Sequence, residues 1–222
     1  MNEKQIAAEK AVEFIEDGMI VGLGTGSTVA YLVKKLAQKV DEGLKVTAVS
    51  TSHATSKLAE SLGIRNVNFD NVGEIDLTID GADEVDKNLI GIKGGGGALL
   101  FEKIVATSSK KNIWIVDSTK VVDNLGKFPL PVEVVPFGIE HTINKLIDGG
   151  YNPELRRVDS KIFLTDGSNY TIDLHLNKIT EPVKLETELK KVPGIIETGL
   201  FINIADIVIV GRVNSYEILK RG

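Results

Sequence analysis

The chain has 222 residues, enough for one large domain or two modest ones with an ample core. Its 42% hydrophobic and 26% charged residues exclude a disordered or fibrous protein, and a net charge of -5 without a Lys/Arg stripe argues against a general nucleic-acid binder. Cysteine is absent, which excludes disulfides, thiolate metal sites and thiol catalysis.

Residues 3–16 carry Ile6, Ala7, Ala11, Phe14 and Ile15 at helical spacing, and Asp17-Gly18 ends the pattern. The polar start has no signal-peptide apolar region and no run reaches membrane-spanning length, so a soluble, cytoplasmic protein without membrane or nucleic-acid partners is expected. Residues 19–23 read as a short buried strand. The loop Gly24-Thr25-Gly26-Ser27-Thr28 then leads into a helix with Val29, Leu32, Val33, Leu36, Ala37 and Val40 on one stripe. A strand at 44–49 and a helix at 53–62 follow, then strands near 75–79, 88–92 and 112–117, with a helix opening near Ala98. Apolar strands alternating with helices predict an α/β fold built on a parallel, doubly wound sheet.

The pattern changes at residues 127–131, Lys-Phe-Pro-Leu-Pro, where two prolines stiffen the chain and mark a domain junction. Beyond it the reading is strand 132–135, helix 138–148, strand 154–158, and a hairpin of 161–165 with 170–176 turning at Asp166-Gly167. Helix 183–191 and strand 195–201 complete a β-α-β-β-α-β order with an extra hairpin strand, which suggests a small ferredoxin-like α+β unit. The apolar strand 205–211 is placed to rejoin the first sheet. The expected division is residues 1–128 plus 202–222 as one domain, with 129–201 inserted as the smaller one.

Three stretches carry the chemistry. At 22–28, glycines, a helix amino terminus and the hydroxyls of Ser27 and Thr28 suit an anion such as a phosphate. A tight turn capped by Ser27 or Thr28 is the alternative. A dinucleotide is disfavoured because Ser27 stands where the third glycine belongs and no acidic residue ends the second strand. Asp80-Gly81-Ala82-Asp83-Glu84 follows an apolar strand, and its aspartates read as catalytic or as turn-forming. Asp80, Asp83, Glu84 and Asp86 together are a weaker magnesium candidate, since the remaining ligands would come from a glycine- and lysine-rich loop.

Lys93 precedes four glycines at a strand end, as an oxyanion clamp would. Glu102 has Ala98, Leu99, Val105 and Ala106 as its helical neighbours, so its carboxylate should be poorly hydrated, with a raised pKa that suits a general base. A helix-margin glutamate beside the helix amino end is the competing reading. Lys120 follows another strand end and could add a second positive charge, with Lys127 as its competitor, while His53, His141 and His175 are too scattered to form a ligand set. A phosphate loop, a desolvated carboxylate, a lysine and two aspartates suit proton transfer beside a carbonyl.

Gly-Thr-Gly-Ser-Thr at 24–28, Asp-Gly-Ala-Asp-Glu at 80–84, Lys-Gly-Gly-Gly at 93–96 followed by Glu102-Lys103, and Gly-Lys-Phe-Pro-Leu-Pro-Val-Glu-Val at 126–134 together resemble the A-type ribose-5-phosphate isomerases, in order over essentially the whole chain. The resemblance implies a Rossmann-like domain with a smaller α+β domain, a homodimer or homotetramer, and interconversion of ribose 5-phosphate and ribulose 5-phosphate without a cofactor or metal. It implies that Glu102 shuttles the proton through an enediolate, that Asp80 and Asp83 act on the sugar hydroxyls, and that Lys93 with Gly94, Gly95 and Gly96 stabilises the enediolate oxygens. Thr25, Gly26, Ser27, Thr28, Gly81, Ala82 and Lys120 would bind substrate. At Gly97 a small residue is expected to suffice. A sugar-phosphate sensor and an acyl-CoA transferase share related sheets and stand below the isomerase.

Overall fold

The computed structural model describes residues 2–221. Helix α1 (Glu3–Val12) is capped by the Asn2 side chain, which accepts from the Gln5 N–H. Strand β1 (Ile20–Leu23), helix α2 (Ser27–Asp41), strand β2 (Thr47–Ser50) and helix α3 (His53–Ser61) follow. Strands β3 (Leu77–Asp80), β4 (Glu84–Val85) and β5 (Gly91–Ile92) lead to helix α4 (Leu99–Thr107) and strand β6 (Asn112–Asp117). Next come β7 (Leu130–Val134), α5 (Ile139–Asp148), β8 (Pro153–Leu155), β9 (Arg157–Val158), β10 (Lys161–Ile162) and β11 (Tyr170–Leu174). Helix α6 (Pro182–Leu189) precedes β12 (Ile195–Thr198), β13 (Leu200–Phe201), β14 (Ile207–Arg212) and β15 (Ser215–Lys220).

The main sheet has the order β15-β14-β6-β3-β1-β2, parallel throughout except for β15. After β2 the chain returns to the other side of β1, so β1 and β3 flank the point where strand order reverses. In an open α/β sheet, ligands bind outside the carboxyl ends of the strands at that point. The stripe expected on α2 is the face it buries: Val29, Leu32, Val33 and Leu36 are essentially inaccessible, each such side chain contributing about 1.5–3 kcal/mol. The second sheet, β12-β7-β11-β8, is antiparallel between all neighbours, with α5 and α6 in the crossovers. That is the ferredoxin-like order.

Four local expectations need correction. Helix α1 stops at Val12 because Phe14 and Ile15 donate three residues back, to Ala11 and Val12, tightening the last turn. Residues 88–92 do not join the parallel sheet: Asp86 Oδ1 accepts from the Asn88 and Ile90 N–H groups, turning the chain so that β5 runs antiparallel to β4 and to β13. The hairpin of 161–165 with 170–176 does not form either. Instead β10 pairs with β9, and β11 pairs with β7 and β8, although residues 165–169 do turn. The strand read at 195–201 is divided at Gly199, whose N–H donates to Pro131 O while its carbonyl accepts from the Lys93 N–H. One crossing point thus ties the second sheet, through Pro131 of β7, to Lys93 just after β5. Below it, Trp114 and Phe201 meet edge to face, their ring centroids 6.3 Å apart.

Candidate active site

Asp80 is the last residue of β3 and lies buried against the loop after β1. Its Oδ1 accepts from the N–H groups of Thr25 (3.0 Å) and Gly81 (2.7 Å), and its Oδ2 is 2.9 Å from Lys93 Nζ. The aspartate therefore forms the local turn and also ties β1 to β3. A Cβ on Gly24 would fall 1.9 Å from Asp80 Oδ1, so this glycine makes room for the carboxylate.

Lys93 is only 3% exposed, and its ammonium is divided among three oxygens: Gly81 O at 2.6 Å, Asp80 Oδ2 at 2.9 Å and Glu102 Oε2 at 3.2 Å. Burial works against its charge, but Asp80 and Glu102 outweigh burial and raise its pKa. Glu102, in the first turn of α4, is also 3% exposed. Its Oε2 lies at ion-pair distance from Lys93 but outside hydrogen-bond geometry, so this buried oxygen has no aligned donor. Burial, then the charge of Asp80, push its pKa up to about 8 against the pull of Lys93. The apolar helical neighbours foreshadow this dehydration; the lysine partner comes from elsewhere in the chain.

Asp83 holds the glycine loop, its Oδ2 accepting from the Gly95 N–H at 2.8 Å. Gly94 to Gly97 form a turn closed by the Gly97 N–H on Gly94 O. Gly97 is more constrained than expected: its φ is +78°, and a Cβ would meet the Phe163 ring at 2.3 Å. No larger residue fits there without movement.

At the other end of the same crevice, Gly26 caps α2, so neither Ser27 nor Thr28 is the cap. Thr25 Oγ1 bonds with Thr51 Oγ1, Gly26 and Ser27 are exposed, and Thr28 faces the cavity. Lys120, in a short helical turn after β6, lines the same cavity together with Gly81, Ala82 and Gly96. The other acidic residues of the 80–86 stretch are engaged elsewhere: Glu84 accepts from the Gly126 and Phe128 N–H groups, and Asp86 forms its turn.

A family model described as ribose 5-phosphate isomerase A (phosphoriboisomerase A) matches residues 47–215. The chain is 57% identical over 218 residues to ribose-5-phosphate isomerase A of Lacticaseibacillus paracasei, covering 97% of this chain and 95% of that one. It is 53% identical to the protein of the same name from Bifidobacterium longum subsp. infantis, covering 97% and 94%. The chain belongs to the ribose 5-phosphate isomerase A family. Among solved structures, a D-ribose-5-phosphate isomerase in complex with phospho-erythronic acid superposes with a TM-score of 0.95 at 43% identity, each chain covered in full. The isomerase A of Methanocaldococcus jannaschii gives 0.92 at 38% identity, covering 98% and 97%. These matches also bear out the mixed α/β fold with its mostly parallel central sheet.

The crevice of this family member is lined by Thr25 to Thr28, Gly81 to Asp83, Lys93 to Gly96, Glu102 and Lys120, with Asp80 bound behind it to Thr25 and Lys93. Glu84, Asp86, Lys127 and the three histidines lie outside that lining. Lys4 and Arg156 are among the residues that escaped the reading of the sequence. Lys4 lines the cavity and donates to Ser27 Oγ at 3.0 Å. It arrives because α1 packs beside β6 and β14, with Glu3 Oε2 accepting from the Ser118 N–H and Oγ. Arg156, from the smaller α+β unit, donates to Gly94 O at 2.8 Å and Gly95 O at 3.3 Å. Neither has a local signal, since each reaches the site only through tertiary packing.

Proposed function

We propose that this crevice interconverts D-ribose 5-phosphate and D-ribulose 5-phosphate, a step of the non-oxidative pentose phosphate pathway, with Glu102 as the proton-transferring base. In the open-chain aldose the Glu102 carboxylate removes the C2 proton and the electron pair moves toward the C1 carbonyl oxygen. The resulting cis-enediolate is reprotonated at C1 by the same carboxyl, while the O2 proton passes toward O1. Lys93 and the free amides of the glycine loop, the Gly96 N–H among them, stabilise the charge on the two oxygens, while the Gly95 N–H is held by Asp83. Asp80 assists ring opening and hydroxyl proton movement, and Asp83 holds hydroxyls alongside Gly81 and Ala82. The phosphate sits against the amino end of α2, with Thr25 to Thr28 and the positive charges of Lys120 and Lys4.

The observation that carries this reading is the dehydrated Glu102 oxygen, without an aligned donor, 3.2 Å from a buried ammonium. A carboxylate in such surroundings accepts a proton more readily than a hydrated one. No cofactor takes part in the proposed step. A coupled assay of ketopentose formation from ribose 5-phosphate tests it, with Glu102→Gln as the control; a fully active variant would remove Glu102 as the base.

The domain division at 128/129 and 201/202, cytoplasmic residence and self-association as a homodimer or homotetramer belong to the same proposal. Exposed Phe137, Val158 and Leu164 on the smaller unit support self-association, as a second copy would cover such apolar surface. Sedimentation velocity measures it. Among the described residues no helix is long and apolar enough to cross a membrane.

A further inference from the structure

A run of glycines offers no side chain by which its peptide planes can be anchored, yet an oxyanion site requires those planes to face one way. In this loop the anchor comes from the smaller unit. Arg156 Nη1 lies 2.8 Å from Gly94 O and 3.3 Å from Gly95 O, 62 and 61 residues away in sequence. The guanidinium is itself fixed, with Nε donating to Asp173 Oδ2 at 2.8 Å and Nη2 paired with Asp173 Oδ1. Its Cζ lies over the Phe163 ring, 5.9 Å from the centroid, the same ring that packs against Gly97.

A trans peptide points its carbonyl and its N–H in opposite directions. Holding Gly94 O therefore aims the Gly95 N–H the other way, where Asp83 Oδ2 receives it at 2.8 Å. Holding Gly95 O likewise turns the Gly96 N–H away from Arg156, and this N–H has no partner among the described residues. Were the Gly95–Gly96 plane to flip, a carbonyl dipole would face the developing enediolate in place of a donor; were the Gly94–Gly95 plane to flip, the loop would lose its bond to Asp83.

We infer that Arg156, oriented by Asp173, is a positioning residue for proton transfer: it locks the glycine loop with the Gly95 N–H on Asp83 and the Gly96 N–H facing the enediolate. The inference rests on the isomerase reading of the crevice. Arg156 acts through the loop and does not touch the substrate. Lysine cannot replace it, because one ammonium cannot span Asp173 and two carbonyls as a planar fork does.

The test uses wild type, Arg156→Lys, Arg156→Met, Asp173→Asn and Glu102→Gln, each first checked for native circular dichroism. Steady-state kinetics with ribose 5-phosphate are paired with inhibition by phospho-erythronic acid, whose planar, charged carboxylate is chosen as a mimic of the two enediolate oxygens. Both Arg156 variants should lose about 10–100-fold in kcat with KM within about threefold, and Asp173→Asn a smaller factor in the same direction. The inhibition constant should weaken in proportion to kcat/KM across the series, as expected of a mimic of the intermediate. A structural role alone would lower the melting temperature without that proportionality. Folded Arg156 variants with wild-type kcat, or inhibition unchanged while kcat falls, would overturn the inference. An inactive wild type, or an active Glu102→Gln, would instead overturn the isomerase reading beneath it.

Discussion

The two ends of the crevice are built in opposite ways. At the inner end, Asp80, Lys93 and Glu102 are each almost fully buried and bound into one ionic cluster. At the outer end, Gly26 and Ser27 are exposed, and Lys4 and Lys120 are half-buried on separate elements. Under the proposed function, the contrast separates two physical tasks. Moving a carbon-bound proton calls for a base stripped of water, whereas gripping a phosphate dianion calls for donors and positive charge that it can reach and leave.

If that division holds, substitutions at the inner end should act on kcat and those at the outer end on KM. The largest effect is expected from Glu102→Gln, which keeps the shape and removes the base: kcat should fall about a thousandfold with KM within about threefold. Proportional losses in both constants would place Glu102 in binding instead. Lys93→Met should follow, with kcat lowered about a hundredfold. Its melting curve should be recorded alongside, since the variant leaves Asp80 and Glu102 close together without their cation. Lys120→Ala and Lys4→Ala should each raise KM about tenfold and leave kcat within about threefold, an effect that weakens as salt screens the outer end. A kcat defect in either would break the comparison.

The pH dependence sharpens it further. The base must be ionised, so kcat/KM should fall toward acid with a midpoint well above 4.5 and toward about 8. Stability should move the other way. Because folded Glu102 holds its proton to higher pH than the unfolded chain does, its favourable contribution is complete below pH 4.5 and is lost as pH rises through about 8. The melting temperature of Glu102→Gln relative to wild type should therefore climb between those values, by more than about 3 °C. A flat difference would mean that the carboxyl is hydrated. The smallest effect tests the loop: Gly97→Ala should lower the melting temperature by about 2–6 °C through the Phe163 contact and the positive φ.

The residues that line the crevice were legible because glycines, carboxylates and lysines at the ends of apolar strands have no role in a core. Glu102 stood out through its neighbours alone, as Ala98, Leu99, Val105 and Ala106 give it no water and no partner. Lys4 and Arg156 were not legible. Each sits in an ordinary charged stretch, and its meaning depends on what packs opposite it. Gly97 was misjudged for the same reason, since Phe163 lies 66 residues further along the chain.

The period of apolar residues was enough to specify an α/β sheet, a second α+β unit and the strand ends where the chemistry gathers, because burial and hydrogen bonding impose those periods locally. Strand partners were a different matter. Whether 161–165 met 170–176, whether 88–92 joined the main sheet, and which side chains closed around Glu102 were decided by non-local packing. A strand offers the same edge to any partner, and only the assembled sheets and side chains select among them.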